Sequence, residues 1–148
     1  MEQTTGTQTN SQLTVNTDTS KIFIGENRYE NDHYINNSTY TTKELVAGTV
    51  MGRVGATGIL VPWHSNASDG SEKVVGILAG DISVAAGENV QATICVKGDV
   101  AKNKLVFDRP GDALETTVDN VRVEDKIKAE TVGINLVAST EMTDYDNQ

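Results

Sequence analysis

The chain has 148 residues, of which 37% are hydrophobic and 22% charged, so it suits one domain with a modest core. Its formal net charge of -9 at pH 7 opposes binding to nucleic-acid phosphates and to anionic membrane surfaces, and we expect neither partner. The single cysteine, Cys95, excludes an internal disulfide and a cysteine-based zinc site.

The N-terminal segment is polar and rich in threonine. Residues 1–19 contain seven Thr and only three apolar side chains, too few to offset the entropy lost on ordering. We therefore predict a flexible arm over residues 1–25 that binds a partner by adding a strand to an exposed sheet edge. Its start has no apolar run typical of a signal peptide. The candidate contacts are the apolar side chains of this arm: Leu13, Val15, Ile22, Phe23 and Ile24.

Residues 26–43 are polar and contain three tyrosines, Tyr29, Tyr34 and Tyr40. Spacings of five and six residues match neither a helix face nor the alternation of a strand. The pattern predicts a structured loop.

From Gly48 onward, short apolar segments alternate with glycines and polar turns, which predicts strands. Glycines at positions 52 and 76 lie inside these segments and indicate bends or bulges. Apolar and polar residues do not alternate regularly in segment 90–97, which indicates burial on both faces or a role in an interface. The predicted strands are 48–54, 58–62, 73–79, 82–86, 90–97 and 104–107.

The sequence of the C-terminal third predicts a helix over 118–132 that stops at Gly133. Residues 133–139 are either a last apolar strand or a segment that plugs the core. Residues 140–148 are predicted to form an acidic, flexible tail. The fold class is therefore mostly β with one short helix and a flexible N-terminal arm. The predicted units are the arm (1–25), a β-rich body (26–139) and the tail (140–148).

Residue types that carry catalysis or bind metals are few and scattered. The two histidines are 31 residues apart without carboxylates at ligand spacing, the cysteine lies in an apolar strand, and the glycines suit turns. The carboxylates between residues 108 and 119 suit a solvated turn, and a calcium site is the less favoured interpretation. We predict no enzyme activity, no cofactor and no metal. The residues considered are His33, His64, Cys95, Gly52, Gly55, Gly58, Asp108, Asp112, Glu115 and Asp119.

An ordered set of motifs extends over residues 44–137. It comprises AGTVMG at 47–52, LVPW at 60–63 with a following Asp-Gly, VVGILAGDI at 74–82, and a late Gly-Ile at 133–134. In this order the motifs resemble the head decoration protein family of tailed bacteriophages, the lambda D-like capsid cement proteins.

The resemblance implies a β-clip-like body that sits as a homotrimer at threefold and quasi-threefold positions on the outer surface of an expanded capsid. There it would bind the major capsid protein and stabilise the shell against the pressure of packaged DNA. The family's N-terminal arm is disordered when free and orders on the shell. The protein would be made in the host cytoplasm and be part of the virion. Pro62 and Trp63 are the candidates for the trimer or body interface. The Thr/Asn-rich arm and the acidic tail depart from the family.

Two alternatives use other residues. In the first, the chain is a phage surface or tail adhesion module that binds host glycans through the tyrosines of segment 29–40. In the second, it is a small nucleotide hydrolase with a similar body, for which the candidates are Arg53, Asp81 and Asp108.

Overall fold

The structure is a computed structural model that describes residues 22–131 and 133–138. Over this part of the chain the protein is mostly β with one short helix, as predicted; the predicted arm before Ile22 lies outside the described residues. No helix in it is long and apolar enough to cross a membrane. In chain order the elements are β1 (Phe23–Ile35), β2 (Lys43–Leu45), β3 (Val50–Arg53), β4 (Leu60–Pro62), β5 (Val74–Leu78), β6 (Ile82–Val84), β7 (Asn89–Ala101), a 3-10 turn (Lys102–Lys104), β8 (Thr117–Val118), β9 (Val121–Arg122), α1 (Val123–Glu130) and β10 (Ile134–Val137).

The main sheet closes on itself. Its strand order is β10-β7-β1-β4-β3-β5, and β5 also pairs with β7, so the hydrogen-bonded path β7-β1-β4-β3-β5 returns to β7. Strand β10 lies outside this ring and pairs in parallel with the last four residues of β7. Closure removes most exposed strand edges, and β10 is left as the outermost strand.

The prediction of a loop over residues 26–43 was wrong for its first ten residues, because β1 continues to Ile35. Strand β1 pairs antiparallel with β7 from Phe23↔Val100 to Ile35↔Asn89, with register shifts on both sides of Arg28. Most β1 side chains between these ends face solvent, so the segment lacks the hydrophobic alternation that identifies a strand. Its pairing partner, rather than its own composition, makes it a strand.

The strands predicted from residue 48 to residue 97 are confirmed, with shifted ends. The strand predicted over 104–107 was wrong, because Lys104 belongs to a 3-10 turn and the segment pairs only through the single bridge Thr49↔Val106. The last strand, predicted over 133–139, is confirmed as β10.

The helix is shorter than predicted at both ends. Residues 117–122 form the hairpin β8–β9, whose turn residues Asp119 and Asn120 have φ values of 54° and 67°. Asp and Asn tolerate this left-handed region, so the local turn replaces the first helical turns. At the other end Thr131, not Gly133, caps the helix, and both its N–H and its hydroxyl donate to the carbonyl of Ile127.

The closed sheet buries apolar side chains on both faces. Successive residues of β7 enter different clusters: Ile94 and Val96 lie in one, and Cys95 in the other. Burial on both faces therefore explains the poor alternation of segment 90–97. The helix packs on the Cys95 side through Val123 and Ile127, both with 0% exposure.

Two strand glycines are required by close packing, and the bulge that their positions predicted is present at Gly52. A Cβ at Gly76 would lie 2.7 Å from the carbonyl oxygen of Cys95 and 3.0 Å from Cδ1 of Ile94. One at Gly52 would collide with the carbonyl of Ser71, and the β3–β5 register shifts between residues 51 and 52.

We expect Gly76→Ala to lower the free energy of unfolding by about 1–3 kcal/mol, because the added methyl group would clash with the backbone of Cys95 in the neighbouring strand. Chemical denaturation measures this change. Gly80→Ala is the matched control, since Gly80 has no atom within 4 Å of its added Cβ and no positive φ. Equal stability of the two variants would contradict the packing argument.

Candidate functional site

The β1–β7 pair gives the body two distinct ends. At one end, which we call the chain-end pole, both described ends of the chain lie beside Ala101 of β7. The carbonyl of Ile22 accepts from the Ala101 N–H at 2.8 Å, and Val137 pairs with Ala101 from the other side. The described part of the chain therefore begins and ends at the same place on the body.

The root of the predicted arm lies in the body. Phe23 is 9% exposed, belongs to the core and packs edge-on against Tyr29 with ring centroids 5.8 Å apart. Its neighbours Ile22 and Ile24 are half-buried. The boundary predicted after residue 25 thus falls inside β1. Leu13 and Val15 lie outside the described residues.

Strand β10 provides a sheet edge at the same pole. It is the outermost strand of the main sheet, and its residues, INLV, are uncharged. Edge strands of this kind are templates for an added strand, because natural edges are otherwise protected by charge, proline or bulges.

At the other end, which we call the far pole, a cleft of about 440 Å³ opens between the end of β1, the start of β2 and the turn after β4. Its walls combine a few apolar side chains with charged and hydroxyl groups. The lining residues are Tyr34, Lys43, Val61, Pro62, His64, Ala67, Asp69, Ser71 and Asp108.

Asp108 is the electrostatic centre of the cleft. One carboxylate oxygen accepts from Nζ of Lys43 at 2.6 Å, and the other lies 3.0 Å from Nε2 of His64. Burial raises the pKa of Asp108, but the hydrogen bonds from Lys43 and His64, with their charges, outweigh burial and leave that pKa below its ordinary value. The ionised carboxylate therefore ties segment 105–116 to β2 and to the turn after β4.

A second carboxylate strengthens this connection. The side chain of Asp112 is 1% exposed and accepts from the backbone N–H of Ser65 at 2.9 Å and from its hydroxyl at 2.6 Å. Arg109 lies 3.3 Å from the same carboxylate. Two of the four carboxylates considered for calcium thus have protein partners. Among the described residues, no group of three metal-ligating side chains could hold an ion.

The two interface candidates have different surroundings. Trp63 is 0% exposed, donates from Nε1 to the carbonyl of Glu72 at 2.7 Å and packs edge-on against Phe107. Its side chain therefore packs within the body. Pro62 is half-buried and lines the cleft.

The three tyrosines of segment 29–40 do not form one surface. Tyr34 is buried at 5% exposure, whereas Tyr29 lies toward the chain-end pole and packs on Phe23. Tyr40 is 92% exposed at the tip of the loop over residues 36–42. The hydrolase candidates also have separate partners: Arg53 pairs with Asp32, and Asp81 accepts from the Ala47 N–H.

Sequence reasoning missed two residues that help to build the far pole, Asn36 and Lys43. Asn36 is 4% exposed and donates to the carbonyls of Thr41 and Val84, both at 2.8 Å, while its oxygen accepts from the Ser38 N–H. The Asn-x-Ser spacing is the signal that indicates this local turn. No local pattern indicates the partnership of Lys43 with Asp108, because 65 residues separate them.

Comparison with known proteins gives one family. The family model described as bacteriophage lambda head decoration protein D matches residues 26–124, two thirds of the chain. The match begins within β1 and ends in the first turn of α1, so it includes the closed ring of strands and the cleft. No curated protein matches the chain.

We expect the stability contributed by Asp108 to be lost in acid. Because its folded-state pKa is lowered, the contribution is present above the ordinary value of 3.8 and disappears as pH falls below it. At neutral pH, Asp108→Asn should cost about 1 kcal/mol, since the ion pairs are partly exposed. The difference between wild type and variant should shrink when urea unfolding is repeated at about pH 2.5.

Asp119→Asn is the control for loss of one charge, because Asp119 lies exposed in a turn whose positive φ suits Asn. It should change the unfolding free energy by less than about 0.5 kcal/mol. If the difference in unfolding free energy between wild type and Asp108→Asn does not change with pH, the role of the ionised carboxylate is contradicted.

Proposed function

Since this chain belongs to the bacteriophage lambda head decoration protein D family, we propose that it binds the expanded capsid of a tailed phage as a homotrimer at threefold and quasi-threefold positions and stabilises the shell. Membership of this family implies a structural protein on the exterior of the phage capsid, whose partner is the major capsid protein. The single observation that carries the proposal is the match over residues 26–124. As a structural protein it needs no catalytic activity, and it would be made in the host cytoplasm.

The chain-end pole supports a contact with the shell. The 21 residues before Ile22 could reach up to about 70 Å if extended, far enough to lie along a neighbouring capsid subunit. We propose that Leu13 and Val15 fill pockets on the shell while the arm adds a strand to a capsid sheet. Ile22, Phe23 and Ile24 would hold the root of the arm, because β1 fixes them to β7.

Three copies acting together would compensate for the entropy of ordering each arm. Once one arm binds, the other two bind at a raised effective concentration, so weak single contacts give strong attachment. Pro62 is the surface residue proposed for the contact between copies. A ligand that binds only the expanded shell stabilises that form by mass action, which is how the protein would oppose internal DNA pressure.

We expect the double variant Leu13→Ser, Val15→Ser to bind emptied, expanded heads at least about tenfold more weakly than wild type. The two substitutions remove apolar surface from the proposed contact, and each buried side chain of this size is worth about 1.5–3 kcal/mol. Co-sedimentation with heads from the source phage measures the affinity.

The double variant Thr4→Ser, Thr9→Ser controls for changes in the arm that leave Leu13 and Val15 intact. A chain that begins at Ile22 removes the arm and keeps β1 whole. Unchanged binding by this shortened chain would move the shell contact to the body. If the wild-type protein does not bind the heads, the proposed function is wrong.

A further inference from the structure

The loop over residues 36–42 carries an aromatic side chain that the body does not use. Tyr40 is 92% exposed, whereas Tyr34 is 5% exposed and Tyr29 is 45% exposed and packed on another ring. A large apolar ring held almost wholly in water gains nothing for folding. Its position is consistent with a contact made to a ligand.

The backbone that carries Tyr40 is fixed before any ligand arrives. The Tyr40 N–H donates to Oγ of Ser38 at 3.2 Å, and the Thr41 N–H donates to the same oxygen at 3.0 Å. Buried Asn36 ties this turn to β6, and its backbone exchanges hydrogen bonds with the turn before β7. Such preorganisation lowers the entropy cost of binding.

Tyr40 precedes the far-pole cleft closely in the chain. Lys43, which lines the cleft, follows Tyr40 by three residues, so their Cα atoms are at most about 11 Å apart. The cleft offers carboxylate oxygens of Asp69 and Asp108, each with lone pairs beyond those its known partners occupy. Val61 and Pro62 add a small apolar wall.

We propose that Tyr40 and the far-pole cleft together form a binding site for a neutral oligosaccharide. A sugar ring has an apolar C–H face that can lie on the Tyr40 ring, and hydroxyl groups that can donate to carboxylates in the cleft. No side chain from residue 36 to residue 42 is charged, and the basic side chains of the cleft, Lys43 and His64, both contact Asp108. The net charge of -9 also disfavours an acidic sugar.

The surroundings of Tyr40 favour a sugar over a protein partner. Aromatic anchors in protein interfaces are ringed by residues that exclude water from the contact. The exposed neighbours of Tyr40 are instead Asn37, Thr39, Thr41 and Thr42, small polar side chains that suit a wet contact with hydroxyl groups.

The site lies away from the arm. The 13 residues of β1 span about 40 Å between the chain-end pole and this loop. A copy attached through its arm could therefore hold a sugar at the far pole at the same time, with the Pro62 side of the cleft shared with the proposed contact between copies. The inference uses only the geometry of the body and does not depend on binding to the shell.

The test is saturation-transfer NMR and titration of the full chain with two neutral probes, maltohexaose and chitohexaose. We expect at least one probe to bind the wild type with a Kd of about 1 mM or below and to show saturation at ring C–H protons. Tyr40→Ala should weaken binding at least about tenfold, whereas Tyr40→Phe, which keeps the ring, should retain it.

Tyr29→Ala is the matched control, because Tyr29 is a partly exposed tyrosine toward the opposite pole and should not affect sugar binding. Equal binding by wild type and Tyr40→Ala, or binding of neither probe by the wild type, would overturn the inference. Loss of head binding in Tyr40→Ala without sugar binding would identify Tyr40 as a protein contact instead, which also overturns it. Head binding by all variants tests the proposed function separately.

Discussion

The structure depends on the use of both edges and both faces of β7. One edge pairs with β1 along almost its whole length, and the other pairs first with β5 and then with β10. This closes the sheet and places alternate residues such as Ile94 and Cys95 in different clusters. A chain with few aromatic side chains thereby builds its core from Val, Ile and Leu on two sides of one strand.

Segments without regular structure are held by buried polar side chains instead. Asp108 and Asp112 attach the excursion over 105–116 to the turn after β4, and Asn36 fixes the loop that follows β1. Asn36 satisfies the carbonyl of Val84 beside the core, whereas Asp108 pairs with the partly exposed side chains of Lys43 and His64. These hydrogen bonds fix the loops of the far pole to the ends of its strands.

The two poles separate two kinds of contact. At the chain-end pole Ile22 and the uncharged edge of β10 lie beside Ala101, which suits interactions through the backbone. At the far pole a polar cleft and an exposed tyrosine suit recognition through side chains. About 40 Å of continuous strand between the poles keeps these contacts from competing.

The sequence by itself determined the β class, the strands from residue 48 to residue 97, the glycines at 52 and 76 and the family, because these depend on local patterns of apolar residues and turns. Only the tertiary structure decided that the polar segment after Phe23 is a strand, that Trp63 is enclosed and that Lys43 meets Asp108. The reason is physical: a strand gains its hydrogen bonds, and a carboxylate its partner, from residues far away in the chain.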